Sequence, residues 1–220
     1  MFASNVDRWL WWDWISRNTD LIRSSLEEHV VLTVVAVGVG LVIALPLGVI
    51  SSRWPRVYGP SLAVTGVLFT IPSLAAFAFL IPYSGLSRTT ALIPLTSYTL
   101  LILLRNVVTG LASVPPEIKD AADGMGFSRW RRLVRVELPL ALPAIMAGVR
   151  IATVTIIGLA AVAGLLAIPS LGNLIYIGQN RPIRTAVTVG IALSVALAVV
   201  ADLLLGLVQR LLTPWTRSRG

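Results

Sequence analysis

Pro115-Pro116-Glu117-Ile118-Lys119-Asp120-Ala121-Ala122-Asp123-Gly124-Met125-Gly126, continuing as Phe127-Ser128-Arg129-Trp130-Arg131-Arg132-Leu133-Val134-Arg135-Val136-Glu137-Leu138-Pro139, is a polar stretch set between two long apolar runs. Two prolines open a helix well, because first-turn N–H groups have no intrahelical partner to lose. Glu117, Asp120 and Asp123 follow at the helix's positive end, where negative charge is favoured. Ile118, Ala121, Ala122 and Met125 recur at helical spacing and make one narrow apolar face. Gly124 and Gly126 are placed to end that helix in a left-handed cap. A second short helix is expected from Ser128, burying Trp130, Leu133 and Val134 and stopping before Pro139. The product is an elbow with a small-residue knob and several arginines, shaped as a docking element for another protein.

The spacing within this elbow is specific. Asp120-Ala121-Ala122, three residues, Gly126, nine residues, Val136, one residue and Leu138-Pro139 resemble the "EAA" loop of ABC-importer permeases, in which Glu-Ala-Ala and Ile-x-Leu-Pro hold the same places. Asp120 and Val136 are the two departures, and both keep charge or shape. Leu104-Arg105-Asn106-Val107-Val108-Thr109-Gly110-Leu111 and Val136-Glu137-Leu138-Pro139-Leu140-Ala141-Leu142-Pro143, with Ala147-Gly148-Val149-Arg150, are similar to the osmoprotectant branch, which carries glycine betaine, choline and carnitine. The likeness runs roughly from Leu26 to Leu212. It implies a permease without catalytic residues of its own, with ATP and Mg on a separate cytoplasmic ATPase subunit. It further implies a second permease chain, identical or related, and an extracytoplasmic substrate-binding protein. The contact with the ATPase is then assigned to Asp120, Ala121, Ala122, Met125, Gly126, Phe127, Arg129, Arg131, Val136, Leu138 and Pro139. The same elbow on a methionine-type importer is the alternative within the family.

Composition agrees with a membrane protein. A hydrophobic fraction of 56% in 220 residues, with a mean hydropathy of +0.84, is too apolar for a soluble domain of this length. Uncharged runs long enough to cross a bilayer place the chain among all-α integral membrane proteins. Spans are expected at about 30–50, 60–82, 89–111, 140–168 and 185–207, forming a transmembrane domain over 29–212. The elbow occupies 115–139 and a cytoplasmic tail 213–220. The net charge of +8 would point to nucleic acid in a soluble protein. Here the arginines flank apolar runs, so lipid headgroups and topology account for them. With zero cysteines and one histidine, His29, no metal site is expected, and His29 is placed at the interface. No G-x-x-x-x-G-K-[ST] loop is present, so ATP is not expected on this chain.

Residues 1–28 are expected to form an extracytoplasmic interfacial segment instead of a signal peptide. Trp9, Trp11, Trp12 and Trp14 crowd there. They suit an aromatic belt at the headgroups, or alternatively a cage for a quaternary ammonium ion. If the elbow is cytoplasmic, eleven Lys and Arg residues lie inside and six outside, counted from the sequence. That obeys the positive-inside rule for a multi-pass protein of a bacterial-type plasma membrane, N-terminus outside and C-terminus inside.

Two charges fall inside apolar runs, where an unpaired ion is costly. Arg150 and Asp202 lie at similar depth and are expected to pair, the alternative being separate snorkelling. Gly190, Ser194 and Ala198 share a stripe with Asp202 that suits close helix approach. Gly158 and Gly164 suit packing or a pathway. Two other classes have weaker support. A secondary transporter would want an inverted repeat and a coupling charge at mid-membrane. An intramembrane enzyme would want convergent nucleophile, base or metal ligands.

Overall fold

The apolar runs and the polar elbow between them form ten α-helices among the residues that the computed structural model describes, 9–166, 168–181 and 183–215. They are α1 (Trp12–Arg17), α2 (Thr19–Arg53), α3 (Pro55–Thr70), α4 (Ser73–Ser84), α5 (Arg88–Ala112), α6 (Pro116–Gly124), α7 (Arg129–Arg132), α8 (Leu138–Ala163), α9 (Leu171–Asn180) and α10 (Arg184–Leu212). A π turn over Leu133–Glu137 joins α7 to α8, and a 3-10 turn over Gly164–Leu166 follows α8. Four helical stretches, Thr19–Arg53, Arg88–Ala112, Arg129–Leu166 and Arg184–Leu212, are long and apolar enough to cross a bilayer. α3 and α4 together make up to a fifth. Arg8, Arg217 and Arg219, counted above for topology, lie outside the described residues.

The core is built where α2, α5 and α8 pack together, with Leu32, Ala36, Leu95, Leu103, Ala152 and Ile156 all buried there. Glycine allows the approach. A Cβ built on Gly48 would stand 2.5 Å from Val107 Cγ1, and one on Gly148 would stand 2.5 Å from Asn106 Cβ. Dense side-chain packing is what holds membrane helices together, because lipid is as apolar as leucine.

Several helix boundaries and placements differ from those expected. The first span begins at Thr19, so residues 19–28 are continuous with it and are no separate interfacial segment. Leu21, Ile22 and Leu26 carry the helix on because they pack beside Trp14, Leu171 and Leu174. The second span is broken: α3 and α4 meet at 88°. Pro72 cannot donate an N–H and forces Ile71 into an extended conformation, φ −63° and ψ 126°. The carbonyl of Ile71, freed by the break, accepts a 2.8 Å hydrogen bond from Tyr98 Oη on α5.

The elbow's second helix does not stop before Pro139; the π turn carries it into α8. A wide turn suits this point, since Pro139 has no N–H for the Arg135 carbonyl. Between the expected fourth and fifth spans, Leu171–Asn180 form a further helix, α9. It is seated by glycine: a Cβ on Gly172 or Gly164 would collide with backbone of the opposite element. Gly158, by contrast, meets nothing within 4 Å. Finally, His29, expected at the interface with the headgroups, is fully buried against other helices of the chain. Its Nε2 lies 3.0 Å from the Ile157 carbonyl, and the Leu171 N–H donates to its Nδ1 at 3.2 Å.

The N-terminal tryptophans do not converge. Trp14 is turned into the cluster with Leu171 and Ala186, whereas Trp9 and Trp12 stand 65% and 73% exposed.

Candidate coupling surface

The elbow helix α6 starts as its prolines dictate. Pro115 is extended, Pro116 occupies the first turn, and the Ile118 N–H reaches back to the Pro115 carbonyl at 3.2 Å. It ends in a Schellman closure. The Phe127 N–H donates to the Ala122 carbonyl at 3.1 Å and the Gly126 N–H to the Asp123 carbonyl at 2.9 Å. Gly126 takes φ 77°, which a residue without a Cβ adopts at little cost. Ser128 then caps α7, its Oγ accepting from the Arg131 N–H at 3.3 Å.

This geometry sorts the elbow residues onto two faces. Lys119 and Ala122 point inward, and Asp123, half-exposed, lies at the edge of that face. The Lys119 ammonium approaches the Leu111 carbonyl at 3.4 Å, and Ala122 is 1% exposed. The outward face carries Ile118, Ala121 and Met125, with Met125 68% exposed, and Asp120 and Gly126 also lie open. Arg129 and Arg131 are exposed, and the Arg131 guanidinium lies over the Phe127 ring at 4.6 Å. Val136, Leu138 and Pro139 are half-buried, with Leu138 packed beside Leu133 and Ile145.

Two expectations change accordingly. Ala122 is already covered by its own chain, because α6 lies against the bundle on that side, so the exposed apolar knob is Ile118, Ala121 and Met125. Trp130 and Val134, expected inside, face outward at 72% and 42% exposure, and of that trio Leu133 alone is buried. The π turn points Leu133 and Glu137 at the bundle, and Trp130 and Val134 are left facing outward.

Behind the elbow runs a chain of ionic hydrogen bonds absent from the sequence reading. Glu137 is 2% exposed. Nη2 of Arg53, the last residue of α2, donates to both its carboxylate oxygens at 2.7 and 2.8 Å. Arg132 Nε donates to Glu137 Oε1 at 2.9 Å, and Arg132 Nη1 pairs with Asp123 Oδ2 on α6. The available signal was a glutamate in an otherwise apolar Val-Glu-Leu-Pro run close to four arginines. Among the described residues, no group of His, Cys, Asp and Glu could hold a metal ion.

Residues 36–217 match the family of binding-protein-dependent transport system inner membrane components. The chain belongs to this family. It is 36% identical over 206 residues to the glycine betaine/carnitine/choline transport system permease protein OpuCD of Bacillus subtilis, covering 93% of this chain and 90% of the relative. It is 36% identical over 202 residues to the osmoprotectant import permease protein OsmW of Salmonella typhimurium, covering 90% and 94%. Its fold is that of a chain of the inward-facing MetNI methionine ABC transporter, with a TM-score of 0.79 at 22% identity, over 90% of this chain and 98% of that one.

Within this inner membrane component the two intramembrane charges meet. Arg150 Nε and Nη2 donate to Asp202 Oδ1 and Oδ2, each at 2.8 Å, a fork-to-fork pair. Gln209 closes the group, its Oε1 accepting from Arg150 Nη1 at 3.5 Å. The pair borders a cleft of about 450 Å³ with Ala147, Ile151, Val154 and Thr155. On the α10 stripe, Gly190 is buried against α9, where a built Cβ would stand 3.1 Å from the Leu171 carbonyl. Ser194 and Ala198 are half-buried along the same side. The opposite side of α10, with Val195, Val199, Leu203 and Leu207, is exposed and apolar.

Proposed function

We propose that this chain is the membrane-spanning permease subunit of an ATP-driven importer for quaternary ammonium osmoprotectants such as glycine betaine, choline or carnitine. The observation that carries the docking part is the outward face of α6, where Ile118, Ala121 and Met125 stand exposed at a charged end of the bundle. An apolar knob rimmed by Asp120, Arg129 and Arg131 suits insertion into a groove, with charge setting the orientation. A separate ATPase subunit, holding ATP and Mg, closes and draws the elbows of two permease chains together. The bundle then passes between inward-open and outward-open states, a two-state change biased by ATP.

A binding protein outside the membrane delivers the cargo. The elbow is cytoplasmic and the N-terminus external, which requires α3 and α4 to complete one crossing. The cargo class rests on the relatives' names; the methionine importer's likeness supports the fold alone.

Co-purification with the cognate ATPase and uptake of labelled glycine betaine or choline test this reading. Asp120→Arg and Ala121→Trp are expected to abolish both while leaving the permease folded. The chain has no native cysteine, so Ala121→Cys gives a single labelling site. Labelling from the external side, or normal uptake by Ala121→Trp, refutes the docking role.

A further inference from the structure

We infer that Glu137 is the joint through which the elbow moves the first span, making it a positioning residue for transport. The inference rests on the docking reading above and adds a path that reading does not contain. Three elements end at one carboxylate. Arg53 comes from the C-terminal end of α2, where a cation is also favoured by the helix dipole. Arg132 comes from α7, and through Arg132 the chain reaches Asp123 at the edge of the inward face of α6.

Glu137 is buried, and its oxygens accept from two guanidiniums. A displaced α6 pulls on Arg132, and Glu137 can follow only by carrying Arg53 along or by giving up the Arg53 bond to its buried Oε2, to which Arg132 does not donate. Leaving a buried carboxylate oxygen without a donor is the costly option, so α2 follows the elbow. The joint also sits at the end of the π turn, where the run from Arg129 to Ala163 departs from regular α-helical bonding, a feature frequent at functional places in helices.

The test uses proteoliposomes holding the permease, its ATPase subunit and its binding protein, and reads uptake per ATP hydrolysed. Glu137→Gln is expected to keep co-purification with the ATPase while lowering uptake per ATP about tenfold. Arg53→Gln should match it, Arg53→Lys should recover part of the loss, and the double variant should be no worse than either single one, as for groups acting as a unit. Wild-type uptake per ATP in Glu137→Gln overturns the inference. So does a fall of uptake and ATPase activity in strict proportion, which is the mark of lost folded complex. If Glu137→Gln does not assemble, Asp123→Asn reads the same chain at its half-exposed end: a threefold fall supports the joint and an unchanged ratio overturns it. Failure of the docking reading shows differently, as undiminished co-purification by Ala121→Trp, and it removes this inference as well.

Discussion

His29 and Leu171 are 142 residues apart in sequence, yet the Leu171 N–H donates to His29 Nδ1 at 3.2 Å. The same ring gives its Nε2–H to the Ile157 carbonyl at 3.0 Å. A carbonyl can only accept and an N–H can only donate, so the two bonds fix one neutral tautomer. One buried imidazole thus ties α2 to α8 and to the start of α9.

His29→Leu keeps the volume and removes both bonds. It leaves the first N–H of α9 without a partner in an apolar place, at a cost of about 1–3 kcal/mol. Thermal melting of the purified permease in detergent should show a clear fall in midpoint. A midpoint equal to wild type would mean that the bonds carry no stability.

Asp202 holds Arg150 by two parallel bonds in the middle of apolar helices, both side chains being partly exposed. Asp202→Asn leaves the guanidinium beside lipid or a neighbouring chain with half its partner's charge-assisted bonding gone. It should lower the melting midpoint well below that of the control Val195→Ala on the exposed side of α10. The exchanged pair Arg150→Asp with Asp202→Arg should recover part of the loss. A midpoint for Asp202→Asn no lower than the control's would remove the pair from the account of stability.

Gly38 and Gly40 are two residues apart on α2 and should respond oppositely to alanine. A Cβ on Gly40 runs into the Thr99 side chain, whereas one on Gly38 meets nothing within 4 Å. Gly40→Ala forces α2 and α5 apart, at about 1–3 kcal/mol. Gly38→Ala is expected to be neutral or stabilising by up to about 1 kcal/mol, from helix propensity. Paired melts of the two variants decide it, and equal midpoints would contradict the packing described.

Gly126→Ala strains the Schellman closure at φ 77°. The cost should be about 1 kcal/mol, confined to the elbow, because no side chain crowds the position. Coupled transport should fall while the midpoint of the whole bundle barely moves. Ala122→Trp should do the reverse of Ala121→Trp, lowering the permease's own stability first, since position 122 is already buried in the bundle. Comparable losses of ATPase binding in the two tryptophan variants, with unchanged melting, would reject the two-faced elbow.

The elbow was legible in sequence because its signals are local. Pro115-Pro116, the acidic first turns, Gly126 and Ser128 each act on their own or adjacent backbone. The apolar spans were legible for the same reason: a run of uncharged residues declares its own solvent. The break at Pro72 was readable as a proline but not as an 88° turn, because the turn also depends on Tyr98 catching the freed Ile71 carbonyl. Trp130 was misplaced because helical spacing says which residues share a face, and says nothing about which face meets the bundle.

Sequence alone determined the membrane class, the elbow's caps and the family, since all three rest on short-range spacing and on the cost of putting charge into hydrocarbon. The tertiary structure decided that Ala122 turns inward, that His29 is buried between three helices, and that Arg53, Arg132 and Asp123 share a chain of contacts through Glu137. Each of those depends on the relative placement of elements far apart in the chain, and the energy of a buried hydrogen bond or ion pair exists only once that placement has been made.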